Sequence, residues 1–415
     1  MDKMNKTNIS WTDFSSSPVK YRDQNGKSVW ACVKCSTGCA NCFSESLAKR
    51  WGRGGPFSPP VMKTLTPYVD EHELHHLLHA PKLTGQRVFM EDMSDLFGEW
   101  VPFAMIDRVF AAMALRPDVT FQLLTKRPER MAEYLTDQTL RVVNGSMCGS
   151  RHETIVTTCQ MITIDPNRLS TPIYWPLPNV WLGASIENQK AADERIPAII
   201  RCPAAVKFLS VEPMLGSVSL APWTADWFDD RAPKWCIIGG ESGPNARPME
   251  IDWLRALVAE CRESKIAVWV KQDSHRLPGQ QGRIPDDLWV HEMPTDAVGQ
   301  NNMRVYISGP MSGIDRHNYP AFHAAAARIR ARGYECVNPA EVNPESEILG
   351  GNLPTDELWR VCMKRDLPQL LGCDAIAVLP GWEKSRGARL EVYVAVALGM
   401  SVINEAKWTL EPVPD

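Results

Sequence analysis

At 415 residues the chain exceeds one small domain, so two domains, or a barrel with an appendage, is the natural expectation. A hydrophobic fraction of 44% supplies real cores, yet no stretch approaches the roughly 18 unbroken apolar residues of a membrane span, and the polar start MDKMNKTNISWTDF lacks a signal peptide's apolar run. The expectation is a soluble, cytoplasmic protein whose net charge of −4 excludes a global basic field, so any nucleic-acid contact has to be local.

The first feature along the chain is CVKCSTGCANC, residues 32–42, which holds four of the twelve cysteines. In a reducing compartment such a cluster reads as a metal or redox site rather than as disulfides. Cys35, Cys39 and Cys42 form C-x3-C-x2-C. Three thiolates so spaced can ligate three irons of a [4Fe–4S] cluster and leave the fourth open, as radical chemistry with S-adenosylmethionine requires. Cys32, Cys39 and Cys42 form the alternative register, C-x6-C-x2-C. The competing reading places all four thiolates around one zinc ion, although zinc sites usually draw on two separated pairs. The other eight cysteines, such as Cys202, Cys236 and Cys373, stand singly among apolar residues, as packing residues do.

After this loop, short β-branched or aromatic runs end in polar clusters and alternate with helical stretches. The runs are RVFMEDMSD (87–95), TFQLLTKRP (120–128), VWLGASIEN (180–188), VKFLSVEP (206–213), WCIIGGESG (235–243) and AVWVKQDS (267–274). Helical patterns lie at 101–115, 189–200 and 252–264. Apolar strands with helical crossovers predict a parallel sheet, and six units in succession predict a full or partial (β/α) barrel over residues 1–275. In that fold the strands' carboxyl ends carry the chemistry, which singles out Glu91, Asp92, Ser94, Asp95, Lys126, Arg127, Glu187, Asn188, Glu212, Glu241, Ser242, Lys271 and Gln272. Gly239, Gly240 and Glu241 are candidates for the amino group of S-adenosylmethionine, or else a tight turn with a capping acid. Lys126 and Arg127 are candidates for its carboxylate or a phosphate, or else a solvated surface pair. Residues 143–178 interrupt the rhythm as an insertion or lid, and 276–302, rich in Pro, Gly, Gln and Asp, read as a linker.

Several segments here, among them ISWTDF, GCANCFSE, MSDLFGEWVP, FQLLTKRPERM, VWLGASIENQ, FLSVEPMLG and IIGGESGPNARPM, resemble a phage-encoded three-cysteine-motif family similar to radical SAM proteins. The matches run in order over residues 8–275. The resemblance implies a radical-SAM-type barrel, a [4Fe–4S] cluster, S-adenosylmethionine and, for a phage protein, the host cytoplasm. The family's usual register maps to Cys32, Cys39 and Cys42. Cys35 is then an additional thiol, and the long segment at 143–178 is a departure from the family's pattern.

From Met303 a second α/β pattern begins, with strands at RVYISG, ECVNPAE, CDAIAVLPG and SVIN between helical stretches. It resembles the nucleoside 2-deoxyribosyltransferase superfamily, including the 2′-deoxynucleoside 5′-monophosphate N-glycosidases, over residues 303–405. That resemblance implies Glu391, in G-x-x-x-E with Gly387, as the nucleophile at the anomeric carbon. It implies Asp366, in R-D-L, as the group that orients or protonates the leaving base. Ser385 with Arg386 and the following helix start would hold a 5′-phosphate. The turn at Gly309, Ser312 and Gly313 is a candidate to hold the other side of the sugar or phosphate. Tyr306 and Trp382 are candidates to stack on a base, or else simple packing residues, the commoner case for either alone. A degenerate domain that binds nucleotide without turnover is the alternative. The whole reads as a bifunctional nucleotide or nucleic-acid modification protein. The alternative from another class is a non-catalytic, zinc-stabilised nucleic-acid-binding protein with a nucleotide-sensing tail. Oligomeric state is not set by the sequence.

Overall fold

A computed structural model describes residues 6–163, 173–224, 232–294, 301–331, 334–344, 355–398, 400–405 and 409–410, which fall into two compact units, one ending at 294 and the other starting at 301. Parts of the expected insertion (164–172) and of the expected linker (295–300) lie outside the described residues.

The first unit is built on seven strands: β1 (Phe14–Ser16), β2 (Arg87–Met90), β3 (Thr120–Thr125), β4 (Val180–Ser185), β5 (Val206–Val211), β6 (Trp235–Gly239) and β7 (Ala267–Gln272). Every neighbouring pair is parallel, and the spatial order is the chain order. Parallel crossovers are right-handed, so an order that never reverses puts every crossover on one face and curls the sheet. The result is a half-barrel with β1 and β7 as its edges, the partial form of the expected barrel. Helices of this unit are α1 (Phe43–Arg50), α2 (Glu71–His79), α3 (Phe103–Ala114), α4 (Pro128–Thr136), α5 (Arg151–Ile162), α6 (Gln189–Arg201) and α7 (Ile251–Glu263).

Strands β4, β5 and β6 are buried along their whole length, as near-continuous apolar runs covered on both faces must be. The concave face is filled by aromatic rings. Trp235 sits at the centre, with Trp11, Trp181 and Trp269 edge-on to it at centroid distances of 5.9, 5.8 and 6.4 Å. Gly183 makes room for this layer, because a Cβ there would lie 2.4 Å from the Phe208 ring. This plug closes the bottom of the half-barrel and leaves the carboxyl ends of the strands open.

The long β1–β2 connection carries the cysteine loop, α1, α2 and a small antiparallel sheet of Val19–Arg22 with Ser28–Val29 and Thr66–Val69. In the expected insertion the helix α5 is packed rather than lid-like, while residues 144–147 before it are exposed. Ile155 and Cys159 of α5 are in the main core, and Arg151 is buried against Asp107 at 2.7 Å. The described part of the expected linker, 276–294, also lies on this unit. Ile284 and Leu288 are buried in its core, Arg283 pairs with Asp273 at 2.9 Å, and His291 bridges to Trp269. Its Pro and Gly mark tight surface turns, not a free tether.

The second unit has β8 (Asn301–Ser308), β9 (Tyr334–Val337), β10 (Ala375–Val378), β11 (Ser401–Asn404) and β12 (Thr409–Leu410), with α8 (Tyr319–Ala331), α9 (Thr355–Leu371) and α10 (Arg386–Ala397). The order is β9-β8-β10-β11-β12, parallel except for β12. Strand order reverses at β8, so the chain leaves β8 for one side and returns on the other. This places the topological switch point, the usual ligand position in open α/β sheets, at the carboxyl ends of β8 and β10.

Candidate functional site

In the first unit a cavity of about 1140 Å³ opens over the strands' carboxyl ends. Its floor follows from strand alternation. Residues pointing into the half-barrel one step above the aromatic plug are Lys126 after β3, Ser185 on β4, Ser210 on β5 and Lys271 on β7, with Glu212 just beyond β5. Lys126 donates to Ser185 Oγ at 2.6 Å, and Lys271 pairs with Glu212 at 2.5 Å. Lys126 shares the cavity lining with Glu91, Asp92, Asp95, Glu212 and Glu241, while Glu187 is not among the lining residues. Ser185 and Ser210 escaped sequence reading, although a serine at an inward position of an otherwise apolar strand was a usable signal.

The cysteine loop forms the roof and is laced to four strand ends. Ser44 donates to the Asp92 carbonyl (2.6 Å), and Arg127 pairs with Asp95 (2.9 Å) while donating to the Val33 carbonyl (2.8 Å). Arg247 donates to the Thr37 carbonyl (3.0 Å), and Asn41 donates to Glu241 (2.9 Å). Gly38 lies against Glu187, where a Cβ would come within 3.3 Å of the carboxyl carbon; Glu187 itself pairs with Arg195 at 2.9 Å. Arg127 is therefore a strut of the loop rather than a solvated surface residue.

Cys32, Cys35, Cys39 and Cys42 all line the cavity. The Cys35 and Cys39 thiols share a hydrogen bond, which holds Cys39 below the ordinary thiol range and pushes Cys35 above it. Burial, reinforced by Asp95 and opposed by Arg127, pushes Cys32 up to about 12. Among the described residues no three Cys, His, Asp or Glu side chains are gathered as metal ligands. Four thiols lining one cavity are nonetheless the donor type that a thiophilic centre would take. Seven of the other eight cysteines are buried packing residues and Cys362 is half-buried, in keeping with the sequence reading.

Gly240 lines the cavity and is also a packing requirement, since a Cβ would lie 2.3 Å from the Ser274 nitrogen; Gly239 ends β6 beside Gln272. Glu241 faces the cavity but is fully engaged. Burial raises its carboxyl, yet hydrogen bonds from Arg247 and Asn41 outweigh this and hold it below the usual range. Glu91 is a residue whose backbone the sequence did not foretell: it ends β2 in the left-handed region (φ 59°). Its buried carboxyl accepts from the Val19 amide (2.8 Å) and Ser94 hydroxyl (2.7 Å), and burial pushes it up to about 8.

In the second unit, Glu391 lies on the inner face of α10 against the end of β8. Tyr306 donates to one carboxylate oxygen at 2.7 Å and Ser308 to the other at 2.5 Å. Burial raises Glu391 to about 7, with the nearby Asp366 adding to the rise against those two donors. Asp366, on α9, is also raised to about 7 by burial, against a hydrogen bond from Asn343 Nδ2 at 2.7 Å. Two buried carboxyls, one of which senses the other's charge, thus lie on the helices packed beside the switch-point strand.

Tyr306 does not offer a face to a base. Its ring is wholly buried and its hydroxyl holds Glu391, so its part is to position the carboxylate. Trp382 is likewise a core residue. Ser385 caps α10 through the Ala388 amide at 3.3 Å, and Arg386 lies 4.0 Å over the Trp359 ring. Gly387 is where α10 passes Trp359, 3.3 Å from a Cβ built there. Gly309 packs under Leu379, which a Cβ would meet at 2.8 Å, while Ser312 and Gly313 are exposed on the following turn. Ser308 and Asn343 were missed in the sequence because neither lies in a spaced motif; only strand alternation from Tyr306 marked Ser308.

Comparison with known proteins divides the chain at the same place. Residues 6–302 match the family model described as "Protein of unknown function (DUF5131)", and residues 303–404 match "Domain of unknown function (DUF4406)". No curated protein matches the chain. The half-barrel with its thiol-roofed cavity accounts for most of the chain, and on that match the chain belongs to the DUF5131 family, with a DUF4406 domain fused as its second unit.

Proposed function

We propose that the protein modifies nucleotides or nucleic acid with two chemistries, a cluster-dependent one in the first unit and N-glycosidic bond cleavage or transfer on a deoxynucleotide in the second. The observation that carries the second is the buried Glu391–Asp366 pair with its dedicated hydrogen-bond donors. One Glu391 oxygen attacks the anomeric carbon as the bond to the base breaks, and the bonding electrons leave with the base nitrogen. Asp366, kept protonated near neutrality by burial, gives that nitrogen its proton. Water or an acceptor base then attacks the same carbon, returns a proton to Asp366 and frees Glu391. Tyr306 and Ser308 hold the carboxylate in line throughout.

For the first unit, support comes from four thiols lining a cavity with room for both a cofactor and a substrate. Cys39 and Cys42, with Cys32 or Cys35, would hold a [4Fe–4S] cluster. When bound beside S-adenosylmethionine, such a cluster supplies one electron for that cofactor's reductive cleavage. The residues' own work is to bind and orient. Lys126 offers its cation to a carboxylate or phosphate, Lys271 is held by Glu212, and Arg127 and Arg247 keep the thiol loop in place.

Anaerobically purified protein should be brown, absorb near 400 nm and carry about four irons per chain. With a reductant and S-adenosylmethionine it should form 5′-deoxyadenosine. A colourless protein with one zinc per chain would overturn the radical reading. For the second unit, chromatography of deoxynucleoside monophosphates should show free base, and Glu391→Gln should abolish it. Base release that survives this substitution removes Glu391 as nucleophile.

A further inference from the structure

We propose that the substrate presented to the first unit's cavity is a single-stranded nucleic acid, held by an aromatic and cationic face that runs along α1; the inference rests on the modification site proposed above and names its substrate class. Helix α1 follows directly on Cys42, and residues 43, 47 and 51 recur at four-residue spacing, so Phe43, Leu47 and Trp51 share one face. In an ordinary surface helix that face is buried against the core. Here all three line the cavity, and Phe43 and Trp51 remain 56% and 55% exposed. The helix is anchored by its other side, where Glu45 and Ala48 are buried. Trp30 extends the aromatic face, with its ring 5.7 Å from that of Trp51 and the Arg53 guanidinium 5.4 Å above it. Trp30 and Leu47 are half-buried against the small core of Ala48, Phe57 and Met93, so the open rings are Phe43 and Trp51, two large rings on one face that form a surface built to be covered.

Charge selects what covers it. Lys49 and Arg50 end the helix and Arg53 follows, and among the described residues no ion pair engages Arg50 or Arg53. The acid on the helix, Glu45, is buried, where it binds Lys34 at 2.7 Å and the Phe57 amide at 3.0 Å and holds Lys49 at 3.7 Å, which leaves Arg50 and Arg53 as the cations without an ion pair among the described residues here. Exposed rings interleaved with unpaired cations stack bases and meet phosphates, which is how proteins hold single strands without reading sequence. A duplex offers no open base faces to such rings. From residue 43 to 51 the helix spans about 12 Å. A mononucleotide in the cavity therefore reaches one of its end rings, whereas a strand passes both.

The test is fluorescence anisotropy of a labelled 20-nucleotide single-stranded oligonucleotide with the full-length, anaerobically purified protein. Its duplex and unlabelled dTMP serve as competitors, and iron is assayed on the same sample. The single strand should bind, with both competitors at least tenfold weaker. Trp51→Ala and Phe43→Ala should each weaken binding by roughly tenfold. Arg53→Ala should weaken it and lower the salt dependence by about one phosphate contact. These side chains are exposed, and unchanged melting temperatures would show that the variants fold. The inference is overturned by failure to bind the oligonucleotide, by equal binding of duplex or dTMP, or by binding indifferent to Trp51. It is also overturned if Trp51→Ala instead converts a dimer to a monomer in sedimentation, which would assign the face to a second copy. Oligonucleotide binding without iron leaves this inference standing and removes the cluster; iron without oligonucleotide binding does the reverse.

Discussion

The Glu391–Asp366 pair has consequences for both stability and rate. Both carboxyls are raised, from 4.5 to about 7 for Glu391 and from 3.8 to about 7 for Asp366, with burial the main cause. The folded chain therefore keeps protons that the unfolded chain has released. The stability these groups allow is greatest below their unfolded values and falls as pH climbs through about 7. Asp366→Asn removes one such titration. The variant should melt at a higher temperature than the parent above pH 7, and the gap should close toward pH 4. A gap that widens on acidification would contradict the assignment. For base release, attack needs Glu391 ionised and departure needs Asp366 protonated, so the rate should follow a bell peaking near neutrality, with apparent values that belong to the pair. Ser308→Ala removes a donor that lowers Glu391, so the acidic limb of the bell should move to higher pH. A drop in rate with no shift in the limb would leave Ser308 a packing residue. None of this was legible in the spacing of G-x-x-x-E, which marks a carboxyl but not its burial or its donors.

At the scale of elements, the half-barrel depends on one close approach, that of Gly183 to Phe208. Gly183→Ala should destabilise the protein by about 1–3 kcal/mol or more in chemical denaturation, because the plug has no slack around the Phe208 ring. Adding Phe208→Leu should recover part of that loss, since the two changes act on one contact. Strictly additive losses would show that the contact is not the cause. Six of the seven strands and the main crossover helices were readable from apolar runs and their polar ends. Strand β1 was not, because Phe14–Ser16 is three residues long with two serines and carries no period. It is held by long-range bonds instead, including the Arg87–Asp13 ion pair at 3.1 Å. Residues 276–294 misled for the opposite reason. Their turn-rich composition resembles a tether, and only the burial of Ile284 and Leu288 shows that they are attached. The lacing of the thiol loop was equally hidden, since Arg127, Arg247 and Asn41 reach across residues far apart in sequence.

Across the whole molecule, each unit has its own sheet and its own buried core, and each candidate site is assembled from residues of one unit alone. No thiol of the roof loop is needed to build the Glu391 site, and no residue of that site is needed to build the roof. Fusion of two such units can serve a shared substrate without coupling their chemistry, and a reciprocal experiment separates these possibilities. Cys39→Ser should remove iron and 5′-deoxyadenosine formation while leaving base release from deoxynucleotides within about twofold, the margin expected for independent sites that share no partners. Glu391→Gln should abolish base release and leave iron content and 5′-deoxyadenosine formation equally unmoved. Both activities falling together in either variant, in protein that still melts as the parent does, would show that the units act as one catalyst. Independence of the two losses would place the link between them in the substrate, a nucleotide handled first by one site and then by the other.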